Sequence, residues 1–129
     1  MVPSFEDIQD QVKSIEGFSQ WLSRKEVKEL PKILFDDERI EQIAQGIYNK
    51  NIGLLVATNK RIIFIDKSIF GLKIEDFPLD KITSIREELG MLTGKITIFS
   101  SGNKAVIKSV EKTQARAFTA WIRAKILTS

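Results

Sequence analysis

The chain contains neither cysteine nor histidine among its 129 residues. Without cysteine there is no disulfide, no thiolate nucleophile and no thiolate metal site. Without histidine, the side chain most used for proton transfer near neutral pH and for zinc or iron ligation is missing. No paired carboxylates stand out as an acid–base site, so no catalytic residue is assigned and an enzyme is not expected. Glycine-rich phosphate loops are absent too: Gly90, Gly94 and Gly102 follow no strand-to-helix pattern. The acidic run Asp36-Asp37-Glu38 lacks the alternate spacing and glycine of a calcium loop, and is expected to cap a loop or strand. No metal, cofactor or small-molecule substrate is therefore expected. The longest apolar runs, Leu54-Leu55-Val56-Ala57 and Ile62-Ile63-Phe64-Ile65, are far short of the ~20 residues a spanning helix needs. The N-terminus has no basic region followed by an apolar run, so no signal peptide is read and a cytoplasmic location is the expectation.

What is present is ordinary for a globular domain: 43% hydrophobic and 29% charged residues, enough for one real core. The net charge of +3 is unevenly divided. Residues 1–38 carry five Lys/Arg against nine Asp/Glu, whereas residues 39–129 carry fifteen against eight. Either both faces are simply solvated, or the basic body meets an anionic partner, or the acidic segment docks on it.

Residues 4–22 read as an amphipathic helix. Ser4 and Asp7 have the form of a capping box, and Phe5, Ile8, Val12, Ile15, Phe18 and Leu22 recur at helical spacing, with Trp21 widening the stripe. Gly17 interrupts it. Ser23 with Glu26 suggests a second, shorter helix through Val27 and Leu30, stopped by Pro31. From residue 40 the period changes to two. Turn residues at Asn49-Lys50-Asn51, Asn59-Lys60, Lys67–Gly71, Pro78, Gly90 with Gly94, and Ser100–Asn103 separate seven β-branched runs. A final amphipathic helix spans about 110–127, with Ala115, Phe118, Ile122 and Ile126 on one stripe and Trp121 beside it.

Seven short antiparallel strands must close or split into two packed sheets to hide their edges, and one helix after the last strand can plug the open end. The expected fold is a mainly β, α+β domain: a seven-stranded antiparallel barrel or split sandwich capped by a C-terminal helix. The expected division is a helical extension over residues 1–38 and the barrel with its helix over 39–129.

At this point particular residues carry a resemblance. Leu55-Val56-Ala57-Thr58-Asn59-Lys60-Arg61-Ile62-Ile63-Phe64-Ile65-Asp66 resembles the second-to-third-strand hairpin of bacterial pleckstrin-homology-like domains. Phe77-Pro78-Leu79-Asp80-Lys81-Ile82-Thr83-Ser84-Ile85 is similar to that family's entry into its fifth strand, and Gly94-Lys95-Ile96-Thr97-Ile98 and Trp121 also fit. The stretch Lys25 to Leu34, with Asp37-Glu38, resembles the lead-in of the YokE-like branch. The resemblance covers roughly residues 25–127, and implies a scaffold more than an activity.

Two candidate surfaces follow. Successive hairpins place the loops at Tyr48–Asn51 and Asp66–Gly71 at one end, and the resemblance brings the loop at Ser100–Lys104 near them. Lys50, Lys67, Lys73 and Lys104 are thus candidates for holding an anion or lipid headgroup. Phosphoinositide-binding relatives carry basic residues on the first two strands, whereas this chain has none between Ile40 and Asn49 or between Ile52 and Asn59. The second surface is the stripe of Phe5, Ile8, Val12, Ile15, Phe18, Trp21 and Leu22, which must dock on its own barrel, a second copy or a partner. The expectation is a non-catalytic binding or scaffolding module for protein partners or self-association. Peripheral attachment to anionic membranes is the alternative. Nucleic acid is not expected, because aromatics do not interleave with the basic residues on one face.

Overall fold

The computed structural model describes residues 3–13, 15 and 24–128. Phe18, Trp21, Leu22, Gly17 and Ser23 lie outside them, and with them part of the expected N-terminal helix.

The first helix, α1 (Phe5–Lys13), starts as its sequence requires. Ser4 N–H donates to Asp7 (3.0 Å) and Asp7 N–H donates to the Ser4 hydroxyl (3.2 Å), a reciprocal capping box. Beyond α1, Ile15 lies in a bend, and its N–H donates to the Val12 carbonyl at 3.0 Å. A 3-10 turn (Val27–Glu29) leads into the single-turn α2 (Leu30–Ile33). Pro31 therefore does not stop a helix. It sits in the first turn of α2, where a missing N–H costs nothing.

Seven antiparallel strands follow: β1 (Ile40–Tyr48), β2 (Asn51–Thr58), β3 (Arg61–Ser68), β4 (Gly71–Pro78), β5 (Ile82–Leu89), β6 (Thr93–Ser100) and β7 (Asn103–Glu111). Their spatial order is β4-β3-β2-β1-β7-β6-β5. The sheet folds over at the β1–β7 seam, where Ile47↔Lys108 is the one registered pair among the described residues. Gly46 makes this crossing possible, since a Cβ there would stand 2.5 Å from Ile107 Cγ2. The last helix, α3 (Lys112–Thr128), packs across β5, β6 and β1 and closes the opening.

Alternation along β1–β3 sends side chains to two different cores. Ala44, Leu55, Ala57, Ile62 and Phe64 point inward and meet Ile96, Ile98, Ile107 and the α3 stripe of Ala115, Phe118 and Ile122. Ile43, Leu54, Val56, Ile63 and Ile65 point outward, where Ile8, Val12, Ile15, Val27, Leu30 and Leu34 cover them. Burying each such side chain is worth about 1.5–3 kcal/mol. The N-terminal extension is thus the lid of a second core.

A buried ion pair fastens that lid. The Arg61 guanidinium donates to Glu38 through Nε (2.8 Å) and Nη2 (3.0 Å), to Asp76 through Nη1 (2.8 Å) and to the Ile33 carbonyl (2.9 Å). Glu38 also accepts from the Thr58 hydroxyl (2.7 Å) and the Phe35 N–H (2.9 Å). Arg61 and Glu38 are only 6% and 2% exposed. Burial by itself would push the Glu38 carboxyl up, but the hydrogen bonds from Arg61, Thr58 and Phe35 outweigh it and hold it below the ordinary carboxylate range. The acidic run thus contributes one residue to a latch, with Asp37 turning the chain at φ 64°.

Candidate functional site

Strand direction puts the β1–β2 and β3–β4 turns at one end, opposite the latch. Three features gather there. The first is the barrel mouth, a cavity of about 110 Å³ lined by Tyr48, Phe64, Asp66, Lys73 and Glu75 among others. Tyr48 meets Phe64 edge-on at 5.2 Å and Phe77 at 6.3 Å, and its hydroxyl donates to Glu75 at 2.5 Å. Burial first, and then the Glu75 carboxylate, push the phenol up to about 12.

The second is an outer groove of about 650 Å³ on the β1–β7 seam. Its walls carry Lys50, Lys95, Lys104 and Lys108, its floor Ile47 and Val106, and no carboxylate among the described residues lines it. Lys95 is 3.5 Å from Glu88. Lys50, Lys104 and Lys108 are exposed and form no ion pair among the described residues. Of the four lysines singled out from sequence, Lys50 and Lys104 line this groove, whereas Lys73 lines the mouth. Lys67 is directed elsewhere, into an ion pair with Glu29 that, with Lys32, holds the Glu29 carboxyl below its usual range. The four candidates therefore do not form one cluster. Of the groove's other two lysines, Lys108 was legible, because Lys104, Val106 and Lys108 alternate along β7 and must share its outer face; Lys95 is brought there from β6 by the fold.

The third feature is the β3–β4 hairpin tip. Ile69 and Phe70 are 94% and 93% exposed. Below them Leu72, Ile74 and Ile52 remain exposed on the outer face. The register pairs Ile74 with Ile65 and Leu72 with Lys67, so this face continues the one that the N-terminal extension covers. Two large apolar residues inside a turn were the missed signal. Of the expected interface stripe, Ile8, Val12 and Ile15 are buried in the chain's own second core, and Phe5 is half-buried. An apolar stripe satisfied within the chain leaves nothing at those three positions for a partner.

No helix among the described residues is long and apolar enough to cross a membrane. Nor do the described residues contain a cluster of three or more carboxylates placed to hold a metal ion.

A folded-over antiparallel sheet of seven strands, closed by one C-terminal helix and presenting its turns at the far end, is the pleckstrin-homology architecture. The family model for the bacterial PH domain matches residues 34–124, and the chain belongs to that family. Among solved structures it is similar to a pleckstrin homology domain from Shewanella amazonensis SB2B, at 23% identity and TM-score 0.58 over 77% of this chain and 93% of that one. A DUF1696 family protein with a pleckstrin-homology domain from Shewanella loihica PV-4 matches at 23% identity and TM-score 0.57, over 77% and 91%. The Vps36 N-terminal PH domain matches at 20% identity and TM-score 0.59, over 74% and 84%. A search of curated proteins finds no match. Likeness at these identities establishes the fold alone, and the family is generally one of binding modules.

Proposed function

We propose that the chain is a non-catalytic docking module that engages a protein partner, or a second copy of itself, through its β3–β4 hairpin. The observation that carries this reading is the apolar tip of Ile69 and Phe70, continuous with Ile52, Leu72 and Ile74 on the outer face. Solvated side chains of that size on one hairpin gain nothing for the isolated fold, and contiguous exposed apolar surface marks contact sites. Burial of Ile8, Val12 and Ile15 supports moving the docking role from the N-terminal stripe to this hairpin. The absence of histidine and cysteine supports a non-catalytic role.

Peripheral binding to an anionic membrane is the second reading. It is supported by Lys50 and Lys73 lying at the same end as the tip. A double substitution, Ile69→Ser with Phe70→Ser, tests both. It leaves the melting temperature unchanged, because neither side chain is packed. Light scattering across a concentration series then reads self-association, and sedimentation with phosphatidylserine vesicles at low and high salt reads membrane binding. Association that the double substitution abolishes supports the protein reading, and vesicle binding that it abolishes supports the second. Association or vesicle binding that survives it intact refutes the tip as the docking element.

A further inference from the structure

We infer that the outer groove across the β1–β7 seam is a second binding site, for an extended acidic peptide segment that carries carboxylates and apolar side chains in turn at every second residue, on one face. This goes beyond the hairpin docking proposed above and does not depend on it. The seam creates the groove: β1 turns away to pair with β2 and β7 to pair with β6, so their outer faces diverge around Ile47↔Lys108. Along β7, Lys104, Val106 and Lys108 point outward while Ala105 and Ile107 enter the core. At about 3.4 Å per residue, the two lysines stand roughly 14 Å apart along the strand. Lys95 and Lys50 flank this row.

Charges strung along a strand do not converge on one point, as a compact phosphate would require. They match carboxylates spaced along an extended chain. The half-buried Ile47 and Val106 floor calls for apolar side chains between the ligand's acids. No carboxylate lines the groove, and Lys50, Lys104 and Lys108 have no acidic partner among the described residues, so a ligand's charge meets uncancelled cations.

The β1–β2 turn adds an independent observation. Asn49 and Lys50 both hold positive φ, 51° and 70°, as a two-residue hairpin turn of this hand requires. The second position ordinarily favours glycine, because a side chain there strains the backbone. This chain places a lysine there, at the rim of the groove. Strain kept at a surface position is the pattern of a side chain retained for contact.

The test uses the full chain and a labelled peptide with glutamate and valine in turn at every second position and serine between them, about nine residues long so that it overruns the groove. Fluorescence anisotropy reads its binding, with the same peptide carrying lysine in place of glutamate as control. Neutralising exposed lysines weakens charge pairing by about two- to fivefold each, so Lys104→Gln with Lys108→Gln lowers affinity roughly tenfold. Lys50→Gly separates binding from folding. It relieves the turn, so the variant melts no lower than the parent, yet it loses affinity. The Ile69→Ser and Phe70→Ser pair leaves peptide binding unchanged, so failure of the hairpin reading is distinguishable from failure of this one. Binding equal for both peptides, or insensitive to the three lysine substitutions, overturns the assignment. So does tighter binding of tripolyphosphate or of phosphoinositide vesicles with the same lysine dependence, which would make the occupant a phosphate group.

Discussion

Replacing Glu38 with glutamine removes one charge from the latch while keeping its shape. In the parent, Glu38 accepts four hydrogen bonds: two from Arg61, one from Thr58 and one from the Phe35 N–H. Glutamine keeps one acceptor oxygen and turns an amide donor toward groups that are themselves donors. Arg61 stays 6% exposed with Asp76 as its remaining carboxylate, and Asp76 is half in water. Breaking a buried pair by removing one partner costs about 3–5 kcal/mol. Asp76 places this case near the lower end, about 3 kcal/mol, from a total of roughly 5–15 kcal/mol. For a chain of this size that is a fall in melting temperature of roughly 10 °C. Denaturant unfolding is the assay, with the slope unchanged and the midpoint lowered. Glu38→Leu combined with Arg61→Met replaces the whole pair by apolar groups and restores most of the loss. Acid adds a second readout. The folded carboxyl lies below its ordinary 4.5, so the unfolded chain takes up the proton first as pH falls. The pair's stabilisation is therefore complete above about pH 4.5 and is lost as pH drops below it, a dependence that Glu38→Gln lacks. A loss under about 1 kcal/mol, or a double variant as unstable as the two single losses added, refutes the latch.

Two further predictions concern the seam and the mouth. Gly46→Ala places a methyl 2.5 Å from Ile107 Cγ2 and 2.9 Å from Val110 Cγ2, and costs about 1–3 kcal/mol in denaturant unfolding; a neutral result would show that the seam opens freely. Tyr48 is the only tyrosine, so phenolate absorbance reports it alone. Its midpoint is expected at about 12 against the ordinary 10.0, and Glu75→Gln lowers it. Because the unfolded chain ionises first, this group's contribution to stability falls as pH rises above 10.0. A folded-state midpoint near 10.0 contradicts the buried, Glu75-bonded phenol.

The strands were legible because each is half-buried on a sheet with two different faces, and period two survives wherever one face is core. All seven lie where the alternation put them, and the α3 stripe is the core stripe. The Ser4–Asp7 capping box formed as written, since it is local chemistry needing no tertiary contact. What sequence did not show was long-range. Periodicity marks the N-terminal stripe as apolar without saying what covers it, and only the fold gathers Ile8 and Val12 into one cluster with the outward residues of β1–β3. Lys67 and Lys73 flank one turn in sequence, yet alternate faces and the Glu29 partner separate them. The hairpin tip is hidden because Lys67–Gly71 has the polar and glycine ends of an ordinary turn, and period two says nothing of the apolar pair between them.

The two ends of β1–β3 are doing different jobs, and the division follows from where the cover ends. At the latch end, Thr58, Arg61 and Asp76 tie β2, β3 and β4 to Ile33, Phe35 and Glu38 of the extension, so both faces of the sheet are closed. Toward the turns the cover thins, and among the described residues the Glu29–Lys67 ion pair is the contact that ties the extension to this end. Ile52, Leu72 and Ile74 lie on the covered face but stay exposed, the β1–β7 seam splays into a basic groove, and Lys50 holds a strained turn. With the binding roles proposed above, stability and recognition rest on residues that share strands but not neighbours. Effects at well-separated sites add. Substitutions at Glu38 or Gly46 should therefore shift unfolding without changing intrinsic affinity for peptide. Those at Lys50, Lys104 and Lys108 should weaken peptide binding, and those at Ile69 and Phe70 only the hairpin's own association, without lowering the melting temperature. A loop-end substitution that unfolds the chain, or a latch substitution that leaves it folded but abolishes binding, would mean that the ends are coupled through β1–β3. The N-terminal cover would then be part of the recognition surface as well as the lid of the second core.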